Sequence, residues 1–111
     1  MNNYNLGNTI SLLIGKRKWA ILAIWELKNG PKRFRDLKEK ANGCSEKVLN
    51  ETLKELVQMG LVKKTVYDVY PRHTEYVLTY LGNAVVPVIL EMITFEKIYV
   101  SSSKQIKKKI K

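Results

Sequence analysis

The sequence holds one cysteine, one histidine and half as many acidic as basic residues. With Cys44 as the single thiol, an intramolecular disulfide and a cysteine-rich metal site are both excluded, which suits a reducing cytoplasm. His73 is the sole imidazole and no acidic cluster accompanies it, so no metal site is expected. A Gly-rich phosphate loop, a Ser-His-Asp order and a paired-carboxylate motif are all missing, so no enzymatic activity is expected and no cofactor is implied. No apolar run approaches the ~20 residues of a membrane span. The longest, Ala84 to Leu90, is short and contains Pro87. The opening Met1-Asn2-Asn3-Tyr4-Asn5 lacks the basic-then-apolar order of a signal peptide. A cytoplasmic chain without a membrane partner is therefore expected.

What is present is basic charge on a foldable background. The 111 residues are 45% hydrophobic and fit one compact domain. The net charge of +10 points to a polyanionic partner. Half of it lies in Lys104, Lys107, Lys108, Lys109 and Lys111, a stretch without acids. Residues 1–100 are thus read as a single domain and 101–111 as a flexible basic tail, with Ser101-Ser102-Ser103 ending the ordered part.

Apolar periodicity organises the domain. Ile10, Leu12, Leu13 and Ile14 suggest a short helix ending near Gly15, followed by the cations Lys16, Arg17 and Lys18. Trp19 to Leu27 is apolar on nearly every side, as a helix buried on more than one face would be. Asn29-Gly30-Pro31 stops it. Residues 34–41 form an amphipathic helix with Phe34, Leu37 and Ala41 on one face, and Asn42-Gly43 a turn. Ser45 is an N-cap for a helix to about Met59, buried through Leu49, Leu53 and Leu56 and ended by Gly60. Leu61 to Tyr67 and His73 to Leu78 then read as strands of a hairpin. Thr79 caps a final apolar helix that Pro87 should kink or split. The fold class is mainly α with a β-hairpin wing: a winged helix-turn-helix. The terminal helices are more apolar than a small monomer needs and should pair with a second copy.

The candidate chemistry is recognition. On the helix after Ser45, Lys47, Asn50, Glu51, Lys54 and Gln58 fall on one arc opposite the leucine stripe. Lys suits guanine or phosphate, Asn and Gln suit adenine, and Glu suits cytosine. A merely solvated helix face would have the same amphipathic layout. Free N–H groups at Ser45 and the following turn favour a phosphate. Lys32, Arg33 and Arg35 cluster before the first helix of the pair, and Lys63 and Lys64 lie on the hairpin. Arg72 and His73 follow its tip beside Tyr67 and Tyr70, a combination suited to backbone or minor-groove contact. Cys44 precedes the N-cap and has Lys47 nearby, two features that activate a thiol. It is read either as a redox sensor or as a small packing residue in the turn.

From Lys18 to Leu90 the sequence resembles the HxlR family of bacterial and archaeal winged helix-turn-helix regulators. The resemblance is carried by Lys18-Trp19 with the apolar run to Glu26-Leu27, by Gly30-Pro31-Lys32-Arg33-Phe34, and by Gly43-Cys44-Ser45-Glu46-Lys47-Val48-Leu49. Leu53, Leu56 and Gly60-Leu61-Val62 continue it. Its most specific piece is Pro71-Arg72-His73-Thr74-Glu75-Tyr76-Val77-Leu78-Thr79-Tyr80-Leu81-Gly82. The resemblance implies a homodimer joined through the N- and C-terminal helices, a recognition helix in the major groove and wings on flanking DNA. Several family members sense oxidants through a cysteine near the N-terminus, but here Tyr4-Asn5-Leu6-Gly7 holds none. Thr52 stands where the family often has arginine, and Lys16-Arg17 before Trp19 is atypical.

Three functions fit these features: a sequence-specific regulator binding double-stranded DNA as a homodimer on a roughly palindromic operator, a non-specific architectural DNA-binding protein, and a protein-interaction module. The mixed arc favours the first, because a non-specific binder needs cations rather than amide readers. Any small-molecule effector is unknown from the sequence.

Overall fold

The computed structural model describes residues 17–110. The expected helix over Ile10–Ile14 lies outside the described residues. Helix α1, Lys18–Leu27, is followed by a short strand β1, Lys32–Arg33, and by α2, Phe34–Lys40. Helix α3, Glu46–Gln58, leads to strands β2, Val62–Tyr67, and β3, His73–Leu78, and then to a long helix α4, Tyr80–Ile110. The winged helix-turn-helix read from the sequence is the fold observed.

Local signals explain most boundaries. Ser45 is extended (φ −74°, ψ 158°) and its Oγ accepts from the Val48 amide at 3.1 Å, which starts α3. Gly60 ends the helix with φ +79°, a left-handed conformation that lets the chain reverse directly into β2. Gly43, at φ +92°, makes the turn between α2 and α3. The α2 start relies on Asp36, whose Oδ2 accepts from the Arg33 amide at 3.0 Å.

The core is assembled from all four helices and the two long strands. Ala23 and Ile24 of α1, Leu37 of α2, and Leu49, Leu53 and Leu56 of α3 are buried together with Val62, Tyr76, Leu78 and Ile89. α1 is the strut of this core, but Trp19, Ile21, Leu22 and Trp25 remain only partly covered.

Two features depart from the sequence reading. The sheet has three strands in the order β1-β3-β2, not two, because Lys32 and Arg33 pair antiparallel with Tyr76 and Glu75. Helix α4 also runs unbroken through Pro87 and through Ser101–Ser103. Proline removes the hydrogen bond to the carbonyl four residues back, that of Asn83, but both residues are exposed, so this is a place where the helix can lose one bond at low cost. The three serines are only weakly unfavourable in a helix, roughly 0.5 kcal/mol each relative to alanine, and do not end it.

Candidate nucleic-acid interface

The α3 helix sorts its side chains cleanly. Leu49, Leu53 and Leu56 face the core, whereas Lys47, Asn50, Glu51, Lys54 and Gln58 are all exposed. The solvent arc therefore holds two cations, two amides and a carboxylate, a donor and acceptor set matched to base edges. Ser45 is exposed at its N-terminus, and its hydroxyl oxygen is already the helix cap. Thr52 turns back on its own helix, its Oγ1 donating to Val48 O at 2.8 Å.

Sequence reasoning missed one brace on this helix. Arg17, at the N-terminus of α1, forms an ion pair with Glu55 in the later part of α3. The atypical Lys16-Arg17 stretch was visible in the sequence, but its partner lies 38 residues away.

The wing separates residues that are adjacent in the sequence. Side chains alternate between the two faces of a strand, and directly paired residues share a face. The register aligns Lys64 with Tyr76, and Tyr76 with Lys32 on its other side. Lys32 and Lys64 thus flank the buried Tyr76 on the core-side face. The other face carries Arg33 beside Glu75, Lys63 beside Val77 and Tyr67 beside His73. Lys63 and Lys64, grouped by sequence, point in opposite directions. Arg35 is exposed in the first turn of α2, while Lys32 and Arg33 are half-buried in β1.

His73 and Arg72 are engaged within the hairpin. The His73 ring stacks on Tyr67 with centroids 4.9 Å apart, its Nδ1 lies 3.0 Å from Pro71 O, and its Nε2 lies 3.3 Å from Glu75 Oε2. Arg72 Nε lies 3.4 Å from Asp68 Oδ1. These contacts hold the His73 ring and the Arg72 side chain against the hairpin.

Cys44 is buried at 3% exposure, its Sγ directed at Ser45 O at 3.5 Å. It packs into the core beside the helix start rather than facing solvent. Among the described residues no group of His, Cys, Asp and Glu is arranged to hold a metal ion, and no helix is long and apolar enough to cross a membrane.

Comparison with known proteins agrees with this architecture. A family model described as HxlR-like helix-turn-helix matches residues 13–104. The HTH-type transcriptional regulator YtfH of Escherichia coli is 43% identical over 68 residues, covering 61% of this chain and 54% of that protein. The chain thus spans about half the length of that relative. YkvN of Bacillus subtilis, also an HTH-type transcriptional regulator, is 34% identical over 83% of this chain and 78% of its own length. The reduced form of the transcriptional regulator YodB from B. subtilis superposes with a TM-score of 0.74 at 36% identity, covering 86% of this chain and 91% of that one. With the family model spanning α1, the helix-turn-helix, the wing and most of α4, the chain belongs to the HxlR-like helix-turn-helix family.

Proposed function

We propose that the chain is a sequence-specific, DNA-binding transcriptional regulator that acts in the cytoplasm as a homodimer on a roughly palindromic operator. One observation carries the reading: the exposed Lys47, Asn50, Glu51, Lys54 and Gln58 arc on a capped helix of a helix-turn-helix. α3 enters the major groove with this arc toward the bases, while Arg35 and the hairpin lysines meet phosphates. The names of the relatives, HTH-type transcriptional regulators, support the same assignment.

The dimer is supported by α4. Val88, Leu90, Phe95, Ile98 and Tyr99 are each about half exposed or more, and an apolar cleft between α1 and α4 is lined by Ile21, Ile89, Met92, Ile93 and Phe95. A surface of this kind is a subunit interface in the making, and a two-fold dimer presents two recognition helices to two half-sites.

Selection of duplexes from a random-sequence pool, followed by titration of the selected site against bulk competitor DNA, tests the reading. Enrichment of a site with inverted half-sites, bound at least a hundredfold more tightly than competitor, is the expected result. Strong binding without enrichment would identify the architectural function that the +10 charge alone can support. Absence of binding would leave the interaction-module reading.

A further inference from the structure

We propose that the tip of the wing is an apolar wedge that enters the minor groove and kinks the DNA, with Tyr70 as the inserting side chain. The inference rests on the DNA-binding reading above and adds the mode of contact and a deformation of the duplex.

Tyr70 is 100% exposed and Val69 is 64% exposed, so the side chain at the tip has no partner among the described residues and its neighbour has little cover. Pro71 completes an apolar tip. The tip is electrically silent, because its charges, Asp68 and Arg72, neutralise each other at 3.4 Å. Exposed cations lie farther down, at Lys63 and Lys64 on β2. This order, a cationic stem below an uncharged aromatic tip, is the reverse of what phosphate clamping at the tip requires. It suits a prong whose stem meets the phosphates while the tip passes between them.

The prong is also braced. The ladder runs up to the Tyr67–His73 pair, those two rings stack 4.9 Å apart at an interplanar angle of 18°, and His73 Nδ1 lies 3.0 Å from Pro71 O, on the far side of Tyr70. A wedge needs this stiffness, because unstacking a base step costs a few kcal/mol and a floppy loop would yield first. The B-DNA minor groove is about 6 Å wide, enough to admit a hairpin tip led by one ring. A side chain inserted there works best at a pyrimidine–purine step, the kind most easily unstacked.

The test uses the full chain and a short duplex selected by it, labelled at both ends for energy transfer, with either a TA step or a stiff A-tract outside each half-site. Wild type is expected to shorten the end-to-end distance and to prefer the TA duplex. Tyr70→Ala, which removes no intramolecular contact, should keep its thermal midpoint, lose the shortening, and bind the TA duplex roughly five- to tenfold more weakly, the size of one aromatic–base contact. Tyr70→Phe should retain both effects. Wild type binding its selected site without shortening, or Tyr70→Ala matching wild type in bend and affinity, overturns the proposal while leaving sequence-specific binding intact. Tyr70-dependent binding to phosphatidylserine vesicles with a straight DNA complex would also overturn it. No selected site at all would instead remove the DNA-binding reading on which the wedge depends.

Discussion

Gly82 lies directly against the carbonyl of Leu61. A methyl group placed on its α carbon would overlap the Leu61 oxygen and approach Leu78 Cδ2 to 3.0 Å. The contact belongs to a small knot joining the wing to α4: Thr79 N donates to Leu61 O at 3.1 Å, Thr79 Oγ1 donates to Gly60 O at 2.5 Å, and Gly82 N donates to Thr79 Oγ1 at 3.1 Å. Gly→Ala within a helix is ordinarily favourable by about 1 kcal/mol. Here the obstacle is backbone and cannot rotate away, so Gly82→Ala should destabilise the protein by roughly 1–3 kcal/mol. Denaturant unfolding reads the sign, and a raised midpoint would mean that the knot is looser than this.

A second effect on stability depends on pH. Burial pushes the Tyr76 phenol above its ordinary value of 10.0. The unfolded chain therefore ionises first as pH rises, and stability that is complete below about pH 10 is lost progressively above it. Tyr76→Phe should make the alkaline decline shallower, measured as the slope of unfolding free energy against pH relative to wild type. Equal slopes would show that the phenol stays as solvated in the fold as in the unfolded chain.

The sequence was legible where signals were local. Ser45, the leucines at 49, 53 and 56, and Gly60 supply a cap, a period and a stop for α3 within one short window, and all keep those roles. The hairpin was equally readable from its Val, Thr and Tyr content. β1 was not, because two residues carry no periodicity and its partner Tyr76 is distant in the chain. The pairing of Arg17 with Glu55 was invisible for the same reason. Within the candidate site, the placement of Lys63 and Lys64 on the hairpin was readable, but the faces they take, opposite ones, follow only from the strand register. The arc on α3 needed only helical spacing and emerged intact.

That difference between helix and strand gives distinct expectations for substitution. Lys47→Ala and Asn50→Ala should weaken binding to a selected site far more than to random duplex, by roughly 1–3 kcal/mol of discrimination each. Lys63→Ala and Lys64→Ala should instead weaken binding to both DNAs alike and flatten the salt dependence. Titrations on both duplexes at several salt concentrations check this. Parallel losses on the two DNAs for the Lys47 and Asn50 variants would remove α3 as the reading helix.

Phe95, 65% exposed and 6.0 Å from the Tyr99 ring centroid, tests the dimer. Wild type should scatter light as a dimer at micromolar concentration. Phe95→Asp buries a charge in the interface but not in the monomer core, so it should yield a folded monomer with unchanged helical content and much weaker binding to paired half-sites. A wild-type monomer at that concentration would end the homodimer reading.

Cys44 separates a sensing role from a packing role. Its thiol is 3% exposed and directed at Ser45 O, so oxidant and thiol reagent reach it only when the turn between α2 and α3 opens. Burial withholds the sulfur from solvent, and access governs the rate at which a sulfenic acid forms. Cys44→Ala should therefore leave DNA affinity unchanged, with and without hydrogen peroxide, and cost about 1 kcal/mol or less from the small cavity. Cys44→Ser should preserve the same DNA response and cost more, because it buries a hydroxyl where a thiol packed. Wild-type thiol labelling should remain slow under native conditions and become rapid in denaturant. Gel shifts on the selected site decide the point: release of wild type by peroxide, with retention of the alanine variant, would make Cys44 a switch that acts through transient opening of the turn.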